Sequence, residues 1–315
     1  MKEYKDGITV LSLFDGISCG RLALERAGIK VKKYFSSEID PWAMMVSKTH
    51  FPDIIRIGDV NKVRYMDGIL YTENGNFDIG KIDLLIGGSP CQSFSLNGKM
   101  EGFDGKSGLF FQYARLKNEC DPTYFLLENV VMKPLWIKTI SLYLQTGEPR
   151  RVNSSLLSAQ KRQRLYWTNL VPSEIKDKGI FLKDILTDFP KRSYRWLSKE
   201  QMRKLEIKEY RYQSMYRVLT PEDKAGCVSA SGFCNSQDNK VRIGDGIRYL
   251  TNEENERLQT LPYGYTSGIP ESKRKHCIGN GWTVDVISEF FKKSERKSIN
   301  RRKCSRQKKS YKNYT

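Results

Sequence analysis

Two side chains capable of covalent and proton-transfer chemistry stand at matched places in this 315-residue chain. Cys91 lies in Gly87-Gly88-Ser89-Pro90-Cys91-Gln92, directly after the apolar run Ile82 to Ile86. That run reads as a buried strand, and the Gly/Pro turn presents the thiol just past its end. Glu128 follows 37 residues later in Glu128-Asn129-Val130, directly after a second apolar strand from Thr123 to Leu127. A thiolate is a nucleophile, and a carboxyl group can hold or pass a proton. At the ends of two strands of one sheet, the pair can face the same small planar substrate. A cysteine taken alone is more often an inert buried residue; Pro90 and Glu128 set this one apart.

The elements that must position this pair alternate. Ile8 to Phe14 reads as a buried strand and Cys19 to Ala27 as a helix stopped by Gly28. Val31 to Ile39 is a second strand, and Pro41 opens a helix that runs to about His50. Short strands at Ile54 to Ile57 and Ile82 to Ile86 follow. Next come a helix from Ser107 to Cys120, a helix from Leu135 to Leu144 and a strand from Arg164 to Leu170. This order predicts an α/β fold with a doubly wound, mainly parallel sheet, which binds ligands beyond the carboxyl ends of its strands.

Several further residues fall at those ends. Phe14-Asp15-Gly16-Ile17-Ser18-Cys19-Gly20 joins the first strand to the first helix, where glycine lets backbone N–H groups approach a ligand. Glu38 ends the second strand, where an acid can bind ribose hydroxyls, and Asp59 follows the third, where it can accept from an adenine amino group. The glycine spacing is not G-x-G-x-x-G, which counts against a dinucleotide.

Beyond Val171 the alternation stops. Residues 171–247 are basic and irregular, with Tyr194, Trp196, Tyr210 and Tyr212 interleaved with Arg192, Arg195, Arg203 and Arg211. Helical spacing returns from Glu253 to Leu261. The expected organisation is a main domain of residues 1–170 plus 248–291, an inserted region 171–247, and a basic tail 292–315 without a fold of its own. That tail holds eleven Lys/Arg against one acid, Glu295.

Bulk composition narrows the field. Net charge is +18, which favours polyanionic partners, nucleic acid first. Mean hydropathy is −0.57 and no long apolar run occurs, so no membrane span is expected. The charged start, Met1 to Gly7, lacks a signal-peptide apolar region, and an intracellular protein is expected. Seven cysteines without a C-x-x-C pair and only two histidines predict reduced thiols and no metal site.

Taken in order, these motifs resemble the DNA (cytosine-5) methyltransferases over about residues 8–291. Phe14 to Gly20 matches the first motif of that family, Glu38-Ile39 the second and Gly58-Asp59-Val60 the third. Gly88-Ser89-Pro90-Cys91-Gln92 matches its nucleophile motif and Glu128-Asn129-Val130 its ENV motif. Gln160, Arg162 and Arg164 match its Q-x-R-x-R motif. Arg248 to Thr251 with Glu254 and Arg257 to Pro262 matches the ninth motif, and Gly279-Asn280-Gly281-Trp282-Thr283-Val284 the last.

The resemblance implies the fold, partners and roles. The fold is the class I S-adenosylmethionine-dependent methyltransferase fold, Rossmann-like, with a small inserted target-recognition domain. The donor is S-adenosylmethionine, leaving S-adenosylhomocysteine, and the acceptor is cytosine C5 in duplex DNA. Cys91 adds to C6, which makes C5 able to take the methyl. Glu128 holds the N3 and amino edge, and Arg162 and Arg164 lie at the O2 side and the backbone. Expected cofactor contacts come from Phe14, Asp15, Gly16, Ile17, Ser18 and Gly20 at the first turn. Glu38, Ile39, Asp59 and Val60 add to them at the next two strand ends. Ser89 and Pro90 beside the nucleophile complete the set, with Asn280, Trp282 and Val284 in the last motif. A stacked base is out of reach, so the cytosine must be flipped out. Ser93, Gln160, Ser231, Gly232 and Phe233 are the expected DNA contacts, with Phe233 as a candidate wedge.

The Gly281-Trp282-Thr283 wording is closest to the eukaryotic de novo branch of the family, which assembles through homotypic interfaces; a homo-oligomer is therefore an expectation. A bacterial or phage methyltransferase of the cytoplasm, in a restriction-modification setting, fits equally, as does a nuclear eukaryotic one. Two alternatives make different demands on the sequence. An RNA cytosine methyltransferase of the tRNA-directed kind would carry Cys-Phe-Thr in the recognition region, which is absent here. A non-enzymatic DNA-binding homologue would typically lack the thiol or the carboxyl.

Overall fold

A computed structural model describes residues 5–90, 108–172, 174–188, 194–212, 218–230 and 238–292. Its first half is β1 (Ile8–Leu13), α1 (Cys19–Arg26), β2 (Val31–Ser37), α2 (Pro41–His50) and β3 (Ile55–Arg56). Three short strands follow, β4 (Arg64–Met66), β5 (Ile69–Thr72) and β6 (Gly75–Asp78), then β7 (Leu84–Gly87). Next come α3 (Phe110–Cys120), β8 (Tyr124–Val130), α4 (Pro134–Tyr143), β9 (Arg150–Asn153) and β10 (Gln163–Thr168). The remainder is α5 (Lys199–Tyr212), β11 (Lys240–Ile243), β12 (Gly246–Tyr249), α6 (Asn252–Leu258), α7 (Glu271–Asn280) and α8 (Val284–Phe291).

Seven strands form one sheet in the order β3-β2-β1-β7-β8-β10-β9. The five from β3 to β8 are parallel, and β10 runs antiparallel to both of its neighbours. β1 is buried along its whole length, as a central strand covered on both faces must be. Its alternation feeds two cores. Val10 joins α1, α2 and α8 through Ala23, Val46, Ile287 and Phe290. Leu11 and Leu13 join α3 and α4 through Tyr113, Leu116 and Ile140. Two cores on opposite faces are what a doubly wound sheet requires. The chain winds outward from β1 to β3 and then returns to β7 on the other side of β1. That reversal opens a crevice at the carboxyl ends of the strands.

The structure departs from the sequence reading at several elements: β9 has no counterpart among the expected strands, and α5 is a helix within the region read as irregular. β4, β5 and β6 form a separate three-stranded meander between the third and fourth expected strands. The strand holding Glu128 also runs on to Val130, so the carboxylate stands within β8 rather than after it. The cause is pairing: β10 zips antiparallel along β8, with Tyr166 opposite Glu128 and Arg164 opposite Val130.

The segment after β10 shares its apolar cluster with the main sheet domain. Leu182, Leu219, Val228 and Val241 pack with Ala159, Leu258 and Ile278. A buried ion pair fixes the hairpin β11–β12 to α6. Arg248 Nη1 and Nη2 each lie 2.8 Å from one oxygen of Glu254, which also completes the Thr251 capping box of α6. Among the described residues no helix is long and apolar enough to cross a membrane.

Candidate active site

A cavity of about 440 Å³ opens at the carboxyl ends of β1, β2, β7 and β8. Its first wall is the turn after β1. Phe14, Gly16 and Ser18 all have positive φ, near 57–59°. A knot beneath holds this turn: the Asp15 carboxylate accepts hydrogen bonds from Ser12, Ser18, Tyr34 and Ser36, at 2.5–3.0 Å. Asp15 therefore lines the cavity with its carboxylate already engaged by four hydroxyls. A Cβ at Gly16 would meet no atom within 4 Å, so open space lies beside the turn.

Glu38 closes the next side. Its Oε2 accepts from Gly16 N at 2.7 Å, and its Oε1 accepts from Ile39 N and Asp40 N, both at 2.8 Å. Burial lifts its carboxyl above the usual carboxylate range, and the three N–H donors only partly offset that. Asp59 lines the cavity after β3 and accepts from Asn61 N and Nδ2. Its own backbone N–H donates to Glu73 on the meander, at 2.8 Å. Phe14, Ile17, Ile39 and Val60 supply the apolar lining, with Ile39 69% exposed.

The far wall is built from the ends of β7 and β8. Gly88, Ser89 and Pro90 leave β7 and line the cavity. Asn129 Nδ2 donates to Ser89 O at 3.2 Å and Oγ at 3.1 Å, which fixes the start of that loop. Cys91 and Ser93, which follow, lie outside the described residues, as do Ser231, Gly232 and Phe233. Glu128 is 8% exposed and faces the cavity. Arg164 Nε lies 3.0 Å from its Oε1, and Trp282 Nε1 donates to its Oε2 at 3.1 Å. Arg164 and Glu128 are diagonal neighbours across the β8–β10 ladder, a separation that a long side chain spans.

The structure separates the residues of the Q-x-R-x-R motif. Arg164 reaches Glu128. Arg162 is 5% exposed, and its guanidinium donates to the carbonyls of Val228, Gly279 and Gly281. It borders the cavity but works as a clamp between three chain segments. Gln160 corrects the sequence expectation of a DNA contact. It is fully buried, with Nε2 donating to Leu258 O and Oε1 accepting from Val228 N. An amide whose donors and acceptor are met inside the protein has nothing to offer a base.

Three expected cofactor residues stand behind the wall rather than in it. Ser18 is buried, bonded to Asp15 and Ser47. Gly20 lies under the Trp282 ring, and Val284 packs in the α8 core. Asn280 and Trp282 line the cavity as expected. Gly279 explains the glycine of the last motif: a Cβ there would lie 2.4 Å from Ala230 N and Ser229 C.

Sequence reasoning missed Cys227. Its sulfur accepts from Arg162 Nη1 at 3.2 Å and Arg164 Nη2 at 3.5 Å. Burial pushes this thiol up, but the two guanidinium groups outweigh burial and hold it below the usual range. Its only sequence signal is its place just before Val228 and Ser229, in the segment that returns to the sheet domain. Among the described residues no group of three His, Cys, Asp or Glu side chains is arranged to hold a metal.

Comparison with known proteins agrees with this geometry. The profile of the C-5 cytosine-specific DNA methylase family matches residues 8–133 and 150–296. The type II methyltransferase M1.ScrFI of Lactococcus lactis subsp. cremoris is 29% identical, over 90% of this chain and 77% of its own. M.HpaII of Haemophilus parainfluenzae is 27% identical, over 92% and 89%. Among solved structures, S. pombe Dnmt2 superposes with a TM-score of 0.66 at 16% identity, covering 90% of this chain and 96% of that one. The Entamoeba histolytica methyltransferase EhMeth reaches 0.68 at 15% identity, over 91% and 98%. A cavity ringed by the expected strand-end acids, a carboxylate held by the motif arginine, and a profile that spans nearly the whole sheet domain converge: the chain belongs to the C-5 cytosine-specific DNA methylase family.

Proposed function

We propose that this chain transfers a methyl group from S-adenosylmethionine to C5 of a cytosine flipped out of duplex DNA. The observation that carries this reading is Glu128, held on one edge of the cavity whose opposite edge carries Glu38 and Asp59. A cationic sulfonium with a ribose and an adenine suits that lining: carboxylates on one side, apolar Phe14, Ile39 and Val60 beside them, and open space at Gly16. When bound, the cofactor supplies an electrophilic methyl carbon.

Side chains of this chain act on the cytosine ring. Cys91 adds to C6 of the cytosine, and electron density moves to C5. Glu128 holds the N3 and amino edge and favours that addition. Arg164 keeps the carboxylate in place. After C5 is methylated, a base removes the C5 hydrogen, the C5–C6 double bond re-forms and Cys91 leaves. Arg162, held by Val228, Gly279 and Gly281, acts as a positioning residue for this wall. Residues 1–170 with 248–291 form the catalytic part in this reading, and 171–247 the part that meets the DNA groove.

The test is incubation of the chain with S-adenosylmethionine and duplex DNA of mixed sequence, followed by base-resolution mapping of 5-methylcytosine. The wild-type chain produces it at defined sites, and Cys91→Ser does not. Duplexes carrying 5-fluorocytosine become covalently trapped on the wild-type chain through Cys91. Methylation of tRNA but not of DNA would instead favour an RNA substrate.

A further inference from the structure

The carboxylate of Glu128 is gripped from two directions by donors on distant parts of the chain. Arg164 Nε reaches Oε1 at 3.0 Å from β10, and Trp282 Nε1 reaches Oε2 at 3.1 Å from the α7–α8 junction. A carboxylate offers about four acceptor positions. One donor on each oxygen fixes the plane of the group and leaves acceptor capacity for a base edge.

The indole does not depend on Glu128 for its placement. Its flanking residues are anchored independently. Gly281 O accepts from Arg162 Nη2 and Gln259 Nε2, both at 3.0 Å, and Thr283 Oγ1 donates to Gln259 Oε1 at 2.8 Å. A glycine makes room for the ring. A Cβ at Gly88 would lie 2.9 Å from Trp282 Nε1 and 3.2 Å from Glu128 Oε2, pressed against both partners. The same ring also forms part of the cavity wall shared with Glu38 and Asp59.

We infer that Trp282 is a positioning residue for methyl transfer, whose indole N–H orients the Glu128 carboxylate from within the cofactor wall. This rests on the function proposed above. It gives the ring two separable tasks: its face shapes the cavity, and its N–H sets the carboxylate.

The two tasks separate experimentally. Trp282→Phe keeps an aromatic ring and removes the donor. Gly88→Ala keeps the indole and presses a methyl against Nε1, closer than atoms of that kind sit, and against Oε2, so that the pair must shift. S-adenosylhomocysteine affinity is measured by calorimetry, and single-turnover methylation by rapid quench at saturating S-adenosylmethionine on one duplex. The expected result for both variants is an affinity within about threefold of wild type and a turnover rate lowered about 10- to 100-fold. An unchanged rate in Trp282→Phe overturns the inference. So does a loss of rate that only parallels a loss of cofactor affinity, which is the signature of a purely structural ring. A normal rate in Gly88→Ala overturns it as well. A wild-type chain that leaves every duplex unmethylated sinks the proposed function itself, whereas equal rates in wild type and Trp282→Phe sink only this inference.

Discussion

Arg164 Nε stands 3.0 Å from Glu128 Oε1, and the same guanidinium reaches back to the Gln163 carbonyl and across to the Cys227 sulfur. One planar group thus joins the Glu128 carboxylate to a thiol from another segment. Lysine carries a point charge and cannot make this fork. Arg164→Lys is expected to fold normally and lose about 100-fold in single-turnover methylation, or ~2.7 kcal/mol of transition-state stabilisation. A rate within threefold of wild type would show that charge alone suffices at this position.

The Cys227 thiol is held below its ordinary pKa, while burial pushes Cys19, Cys120 and Cys277 up to about 12. A lower pKa means more thiolate at a given pH, and the thiolate is the reactive form. Brief treatment with iodoacetamide at neutral pH, read by peptide mass mapping, should label Cys227 well before those three. Because Cys227 is also the exposed thiol of the four, the arginine contribution is read in Arg164→Lys, where its labelling should slow; an unchanged labelling rate there would contradict the arginine-stabilised thiolate.

The Arg248–Glu254 pair is buried on both sides, with side-chain exposures of 3% and 0%. Removing one partner strands the other charge in the interior. Glu254→Ala is expected to cost about 3–5 kcal/mol in urea unfolding. It also removes the acceptor that holds Thr187, so the inserted region should become protease-sensitive first. A loss below about 1 kcal/mol would show that Arg248 is not left as an uncompensated buried charge when Glu254 is removed.

Gly279 and Gly147 make a matched test of close backbone approach. A Cβ on Gly279 runs into the backbone of Ser229 and Ala230, which cannot swing aside, whereas a Cβ on Gly147 meets nothing within 4 Å. Gly279→Ala is expected to destabilise by about 1–3 kcal/mol and to weaken DNA binding through the displaced 228–230 segment. Gly147→Ala is expected to be neutral within about 0.5 kcal/mol. Chemical unfolding of the two variants side by side checks both expectations.

Much of the sheet was legible because its strands are short apolar runs punctuated by glycine, proline and acids. Ile8 to Phe14, Val31 to Ile39 and Ile82 to Ile86 read as strands for that reason, and the structure has them at Ile8–Leu13, Val31–Ser37 and Leu84–Gly87. The meander was missed although its turns were written in the chain. Asp67-Gly68 and Asn74-Gly75 are hairpin dipeptides, and Asp67 and Gly68 take φ of 52° and 84°. Their flanking strands are only three and four residues long, too short for alternation to stand out. Glu128 and Arg164 were legible from motif order. The burial of Gln160 was not, because alternation along Gln160, Arg162 and Arg164 suggests one common face. The segment carries no regular strand before Gln163, so each of the three points where its own tertiary partners lie. The role of Cys227 was invisible because its partners are more than sixty residues away in sequence.

The cavity is stitched together from the two ends of the described chain. Tyr265 Oη donates to Ile17 O across 248 positions, Arg26 pairs with Asp285 across 259, and Trp282 reaches Glu128 across 154. A growing polypeptide on the ribosome that has emerged only as far as β8 carries the glycine turn, the strand-end acids and Glu128, yet lacks the indole, the Arg162 clamp and α8. A chain that stops at β8 therefore lacks one wall of the cavity, and the site is complete only when residues 279–291 are packed against the first helix.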